Sequence, residues 1–263
     1  MNSKEKLKIS KLNWQEIGLE EKYKIMNTYR DIYGSPPWNE GAYCNKEGWG
    51  KRISLQEYRE RLKINNLHCD CGGYFTPCYP DEEVGRILNE ELENKDQKPF
   101  GVIIKKGEKV IGFVFAGIII RKHLINKVVK TRSEGDKKRD TRLLEGLELI
   151  LEKGKIDKIL YCYEIGIKKE ERKGITPLSL LIKGLLVYGE NNNVFSGLFW
   201  TDKKNAIYKI AILAGFLPVY SIPDFRTGER IFFLLNIDFK KILYNLKIFK
   251  NPAIALIRTN STK

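Results

Sequence analysis

No apolar run in this sequence is long enough to cross a membrane. The longest, Val110–Ile120, is interrupted by Gly112 and Gly117 and falls far short of the ~20 residues a spanning helix needs, so it reads as a buried strand. No secretory signal is expected at MNSKEKLKIS, which carries charge without an apolar centre. Cysteine is scarce and odd in number, 5 residues, which suits a reducing compartment better than a disulfide framework. These absences set the expectation of a cytoplasmic protein. Neither the Gly-Lys-Ser/Thr of a Walker loop nor a Gly-x-Gly-x-x-Gly fingerprint occurs, which disfavours two common nucleotide-binding loops. Internal repeats and low-complexity tracts are not evident.

What is present is an ordinary globular composition with an excess of one charge. Hydrophobic residues make up 42% of 263, enough to bury a large core in one domain with insertions, or in one domain with a small cap. Lys and Arg number 47 against 33 Asp and Glu, a formal charge of +14. Such a balance favours polyanionic partners: a phosphorylated cofactor, nucleic acid or an anionic membrane surface. A general lysine bias gives the same number.

Along the chain, residues 8–13 read as a strand and 20–33 as a helix with Tyr23, Met26, Tyr29, Arg30 and Tyr33 on one face. Gly34-Ser35-Pro36-Pro37 must then leave the helix. A second helix is expected from Ser54, as cap, to Leu67, with Leu55, Tyr58, Leu62 and Ile64 inward. Asp81 to Lys95 is a third, with Val84, Ile87, Leu88 and Leu92 along one side. Phe100–Ile104 and Val110–Ile120 flank a Lys-Lys-Gly-Glu-Lys turn as a β-hairpin. Residues 121–155 hold a charged patch and then Leu143, Leu144, Leu147, Ile150 and Leu151 at helical spacing. Val194–Trp200, Asn205–Ala214, Leu217–Ile222 and Arg230–Ile237 read as strand, helix, strand, strand.

The organising stretch is Lys158–Ile182. Ile159–Ile167 is rich in β-branched and aromatic residues, a charged segment ends at Gly174, and Thr176-Pro177 is a good cap and first helical position. Leu178, Leu181, Ile182, Leu185 and Tyr188 or Gly189 then share a helical face. A helix start behind a loop with Arg172, Lys173 and Gly174 suits an anion such as phosphate. A plain strand–loop–helix crossover with a solvated charge run has the same pattern.

These residues, IGIKKEERKGITPLSLL, resemble the acetyl-CoA-binding segment of the GNAT superfamily of N-acetyltransferases, V-x-P-x-x-R-G-x-G-x-G/A. Ile167 stands for the Val, Arg172 for the Arg, Gly174 for a later Gly and Thr176 for the last small residue. The loop is one residue shorter, and Lys169 replaces the Pro. VFSGLFW followed by TDKKNAIYKIAILAGF resembles a second family segment, N-x-x-A-x-x-x-Y-x-x-x-G-F, and PPWNE resembles a segment after the first helix in one branch.

The resemblance implies an α+β fold: a central mixed, mostly antiparallel sheet flanked by helices and splayed at the cofactor strand. Residues 1–240 would form one domain with insertions at about 34–82 and 121–156, and 241–263 a basic C-terminal segment. It implies acetyl transfer from acetyl-CoA to a primary amine, on a small molecule or a protein. Ile165, Gly166 and Ile167 would meet the pantetheine arm, and Arg172, Lys173, Gly174, Ile175 and Thr176 the diphosphate, with Asn205 as a further cofactor residue. Glu164 could take the amine proton, or be a strand-edge carboxylate in a salt bridge. The family's acid, a Tyr four residues before the Gly of Gly-Phe, is here Ala211. Tyr208 is then the candidate acid, with Tyr161, Tyr163, Tyr188 and Tyr220 less specific. Trp38 and Glu40 are acceptor-side candidates, or core and capping residues.

The alternative is a non-catalytic GNAT-fold module that binds coenzyme A or associates with nucleic acid; membrane-surface contact through the C-terminal segment is a third reading. Cys44, Cys69, Cys71 and Cys78 could hold a structural zinc, with His68 as substitute, but C-x-C is not the usual C-x₂₋₄-C. No metal ligand is therefore assigned, and free thiols are the expectation.

Overall fold

The computed structural model describes residues 7–93, 97–129, 134–172, 176–203, 205–213, 216–224 and 228–236. In chain order these form β1 (Leu7–Leu12), α1 (Leu19–Tyr33), β2 (Ala42–Cys44), β3 (Gly48–Ile53), α2 (Leu55–Lys63), β4 (Phe75–Pro77) and α3 (Asp81–Leu92). There follow β5 (Phe100–Lys106), β6 (Lys109–Ile120), α4 (Leu124–Val129), α5 (Glu134–Lys153), β7 (Lys158–Ile167), α6 (Thr176–Asn191), β8 (Ser196–Thr201), α7 (Ala206–Leu213), β9 (Leu217–Asp224) and β10 (Gly228–Asn236). The basic segment 241–263 lies outside the described residues.

Seven strands make the main sheet in the order β1-β5-β6-β7-β8-β10-β9. Every neighbouring pair is antiparallel except β7 and β8. Period-two alternation sorts the side chains of β6 onto two faces. Phe113 and Phe115 meet α1 and α3 through Ile25, Tyr29, Ile32 and Leu88, whereas Val114 and Ala116 meet α6 through Leu180 and Leu181. On the β10 half, Phe232 and Leu234 pack against Leu144, Leu147 and Leu151 of α5, and Phe233 faces the α6 side. The residues between the hairpin and β7 therefore supply a helix that covers the second half of one sheet face.

A smaller sheet, β3-β2-β4, lies between α1 and α3 in the chain. Its strands are too short and too broken by glycine to show in the sequence pattern. The second helix is also shorter than the pattern suggests. Ser54 caps it through Glu57 N–H at 3.1 Å, but the helix ends at Lys63, buries no residue, and leaves Leu62 and Ile64 exposed. Tyr23 on α1, expected inward, is likewise exposed.

The chain between α1 and the small sheet is held closely. Glu40 N–H donates to the Tyr33 carbonyl at 2.8 Å, Gly41 N–H to that of Ile53 at 3.0 Å, and Cys78 N–H to that of Gly41 at 3.1 Å. A Cβ at Gly41 would lie 2.2 Å from the backbone nitrogen of Leu55, so either the strand or the α2 start must move. Gly41→Ala is expected to destabilise by about 1–3 kcal/mol, the usual cost of overpacking, read as a lower urea midpoint at unchanged slope.

Candidate active site

The parallel step of the sheet is where it opens. Among the described residues, β7 and β8 pair at Leu160–Gly197 and Tyr161–Leu198, while β7 continues on its other side against β6 as far as Ile167. Beyond Tyr161 the two strands part, and α6 and α7 flank the gap on one face. There an apolar pocket of about 50 Å³ is lined by Cys162, Ile165, Ile182, Gly197, Ile207 and Ala211, among others. Its lining offers few of the polar partners a held water needs, so it suits a flexible, largely apolar chain. The α6 stripe Leu178, Ile182 and Leu185 is only partly buried because it faces this pocket.

On the opposite face of the same opening stands Glu164. The register between β6 and β7 slips between Phe115 and Ala116, whose partners are Glu164 and Cys162, so Tyr163 is an extra residue in β7. Such a bulge re-aims the side chains next to it. Glu164 falls opposite Phe115, on the α1 face, and Ile165 opposite Val114, on the pocket face. The Glu164 carboxylate accepts hydrogen bonds from Tyr33 Oη and from Tyr29 Oη, the latter at 3.3 Å. These tyrosines are one helical turn apart on α1. Burial first, then the Glu164 charge, pushes both hydroxyls well above the usual tyrosine range, so they remain donors at any assay pH. Glu91, near the end of α3, adds a second negative charge that both feel.

Aromatic rings wall this carboxylate. Tyr79 lies 5.4 Å from Tyr29 and 6.0 Å from Tyr33, centroid to centroid, and Trp38 lies 6.0 Å from Tyr33. Trp38 also meets Trp200 of β8 edge-on at 6.3 Å, so the Pro-Pro-Trp loop reaches across the opening to the strand beyond it. Arg230 covers the Trp200 ring at 4.2 Å. Glu40 is buried, accepts from Arg52 Nη1 at 3.1 Å and from the Tyr79 hydroxyl, and so fixes Tyr79 against the α1 tyrosines.

The remaining candidates are placed as follows. Gly166 packs under Ile32, where a Cβ would meet Cγ2 at 2.6 Å, and Ile167 is buried in the main core. Arg172 donates from Nε to the Ile167 carbonyl at 2.8 Å and from Nη1 to that of Pro36 at 2.6 Å, tying the end of β7 to the Pro-Pro loop. Burial holds its guanidinium below the usual arginine range. The amides of Lys168, Glu171 and Arg172 are bonded to the carbonyls of Ile111, Lys168 and Lys169. Lys173, Gly174 and Ile175 lie outside the described residues, and α6 begins at Thr176. Asn205 caps α7, its Oδ1 accepting from Ile207 N–H at 3.0 Å. Tyr208 packs edge-on against Phe233 at 5.3 Å, beside the pocket-lining Ile207 and Ala211. Tyr188 stacks on Phe100 and donates to the Lys98 carbonyl, Tyr163 donates to Gln97 Oε1 at 2.9 Å, and Tyr161 is buried.

An antiparallel sheet with one parallel step, splayed there between a pocket and a carboxylate, is an arrangement with solved counterparts. An agmatine N-acetyltransferase matches with a TM-score of 0.54 at 11% identity, over 87% of this chain and 99% of that one. A polyamine N-acetyltransferase of Drosophila melanogaster gives 0.54 at 8% identity, over 88% and 100%. An N-acyl amino acid synthase from uncultured soil microbes gives 0.52 at 10%, over 93% and 99%. The chain has the GNAT fold. No family model and no curated protein matches the sequence.

Within the GNAT fold, sequence reasoning reached Glu164, Trp38 and Glu40 but missed Tyr29, Tyr33, Tyr79, Glu91 and Trp200. The spacing of Tyr29 and Tyr33 marked a buried helical face. Nothing local marked the carboxylate they would meet. No helix among the described residues is long and apolar enough to cross a membrane.

Proposed function

We propose that this chain is an N-acetyltransferase that moves an acetyl group from acetyl-CoA directly to the primary amine of a small cationic acceptor carrying an apolar or aromatic portion. The observation that carries the reading is the position of Glu164, at the opening between β7 and β8, with an apolar pocket on the other face of that opening. The thioester arm would thread the pocket past Ile165, and the amine would enter on the tyrosine side. Attack forms the N–C bond, the C–S bond breaks, and the ammonium proton passes to Glu164 directly or through water. The departing thiolate takes a proton from Tyr208 or from solvent, being a good leaving group without help.

Acceptor class follows from local rather than global charge. The chain is strongly basic, yet Glu164 and Glu91 set two carboxylates among Tyr29, Tyr33, Tyr79 and Trp38, with the Arg230 guanidinium stacked on Trp200 beyond them. Such a setting favours a cation, through charge and ring faces alike. Ala211, buried in the pocket wall where the family carries a tyrosine, supports a second reading, in which coenzyme A binds without turnover.

A thermal-shift titration with acetyl-CoA, coenzyme A and ADP, followed by thiol release over an amine panel, tests both. The expected outcome is stabilisation by the coenzymes of about 2.7 kcal/mol at 100 times Kd, with thiol release highest for diamines and arylalkylamines. Stabilisation without release from any amine selects the second reading, and absence of both removes the assignment.

A further inference from the structure

The sulfurs of Cys44, Cys69 and Cys71 converge beside the small sheet. Cys71 Sγ is 3.3 Å from Cys44 Sγ and 3.3 Å from Cys69 Sγ, all three lie within 4.8 Å of one another, and none is in a disulfide. Cys44 ends β2, and the other two sit in the Cys-Asp-Cys-Gly-Gly turn before β4. That turn is shaped around sulfur. The N–H of Cys71 is bonded to the Cys69 sulfur and that of Gly73 to the Cys71 sulfur, each donor two residues beyond its acceptor, and Lys51 also bonds Cys69. Gly72 at φ +79° closes the turn, and a Cβ at Gly73 would lie 2.8 Å from Cys44 Sγ. The turn thus aims its donors at sulfurs that lie within 4.8 Å of one another. Three neutral thiols packed as small hydrophobes need none of these donors.

We propose that Cys44, Cys69 and Cys71 bind one zinc ion as thiolates, with a non-cysteine donor in the fourth position. A zinc–sulfur distance of ~2.3 Å with tetrahedral angles separates thiolates by ~3.8 Å, close to the spacing found. Three thiolates on a divalent ion leave one negative charge, which Lys51 offsets. Among the described residues no fourth side-chain donor lies with the three sulfurs, so a water completes the tetrahedron and leaves that charge unchanged. The C-x-C pair argued against a metal in the sequence because its partner comes from 27 residues upstream of Cys71, on another strand, and Cys78 is not one of the three.

The sheet has reason to need such a clip. Its buried cluster is Ala42, Cys44, Ile53, Cys69 and Phe75, too few apolar groups to hold short strands unaided. The chain enters this sheet from Glu40 before β2 and leaves it toward Tyr79 after β4, so loss of the ion would loosen that wall of the opening.

The test is metal analysis of the full chain purified in reductant without chelator, with cobalt substitution of the stripped protein. Roughly one zinc per chain and a cobalt–thiolate charge-transfer band are expected. Cys44→Ser and Cys71→Ser should each lower bound metal at least tenfold, while Cys162→Ala, whose sulfur lies in the main core, retains it. Less than about a tenth of an equivalent of zinc, with no such band when Co²⁺ is added to reduced wild-type protein, overturns the site. So does full metal content in both serine variants. Should those variants fail to fold, the wild-type cobalt spectrum still decides.

Discussion

Glu164→Gln is expected to lower kcat for acetyl transfer by about 10²–10⁴-fold, the usual contribution of a positioned base, while leaving affinity for acetyl-CoA close to wild type. The two effects separate because the carboxylate lies on the α1 face of β7, across the strand from the apolar pocket. Glutamine keeps the shape and still accepts from Tyr33 and Tyr29, so the fold should survive. The pH profile gives an independent readout. A base must be ionised to work, so the rate falls on the acid side as Glu164 gains its proton; in the glutamine variant that limb is lost. Tyr33→Phe removes one of the two hydroxyl donors on that carboxylate and is expected to lower kcat by less than Glu164→Gln while keeping the limb. A role for Glu164 confined to packing would change kcat without removing the limb. Stopped-time thiol release from pH 5 to 9 distinguishes the two.

Gly197→Leu is expected to abolish stabilisation by coenzyme A. Gly197 lies on β8 opposite Leu160 and Leu235 and lines the pocket with both. A Cβ there meets nothing closer than Leu235 Cβ at 3.8 Å, so the backbone accepts a side chain without strain. The added isobutyl group would occupy the space proposed for the pantetheine arm. An unliganded melting temperature near wild type, with the loss of a shift worth about 2.7 kcal/mol at 100 times the wild-type Kd, is the expected pair of results. A full coenzyme A shift in the variant would move the cofactor elsewhere.

Much of the main sheet was legible because its strands are long and its helices periodic. The hairpin of β5 and β6, β7 and α6 all stand within a few residues of the positions their patterns imply. What was not legible depends on contacts far apart in the chain. Tyr29 and Tyr33 showed their helical spacing, but their partner lies more than 130 residues away and is turned toward them by the bulge at Tyr163. Leu178, Ile182 and Leu185 share a helical face by their spacing and border a pocket in the structure; hydrophobic period alone does not separate core from cleft. The inward faces expected at Leu62 and Ile64 fail for a different reason. Asn65 turns the chain with φ +51° just after α2, so the helix packs through residues nearer its start, such as Tyr58 on the small sheet's cluster, and Leu62 and Ile64 are left exposed. The small sheet escaped notice because two of its strands have only three residues and the third begins Gly-Trp-Gly, and its close sulfurs become a group only once β2 lies beside the glycine turn.

The most direct measurement is a crystal structure with an inert adduct of coenzyme A and an amine. The expected density places the sulfur between the parted ends of β7 and β8, beside Ile165, with the amine nitrogen within hydrogen-bond reach of the Glu164 carboxylate, directly or through one water. An adduct bound away from that opening, or one whose nitrogen points to the α6 side with Glu164 still closed off by Tyr29 and Tyr33, would contradict it.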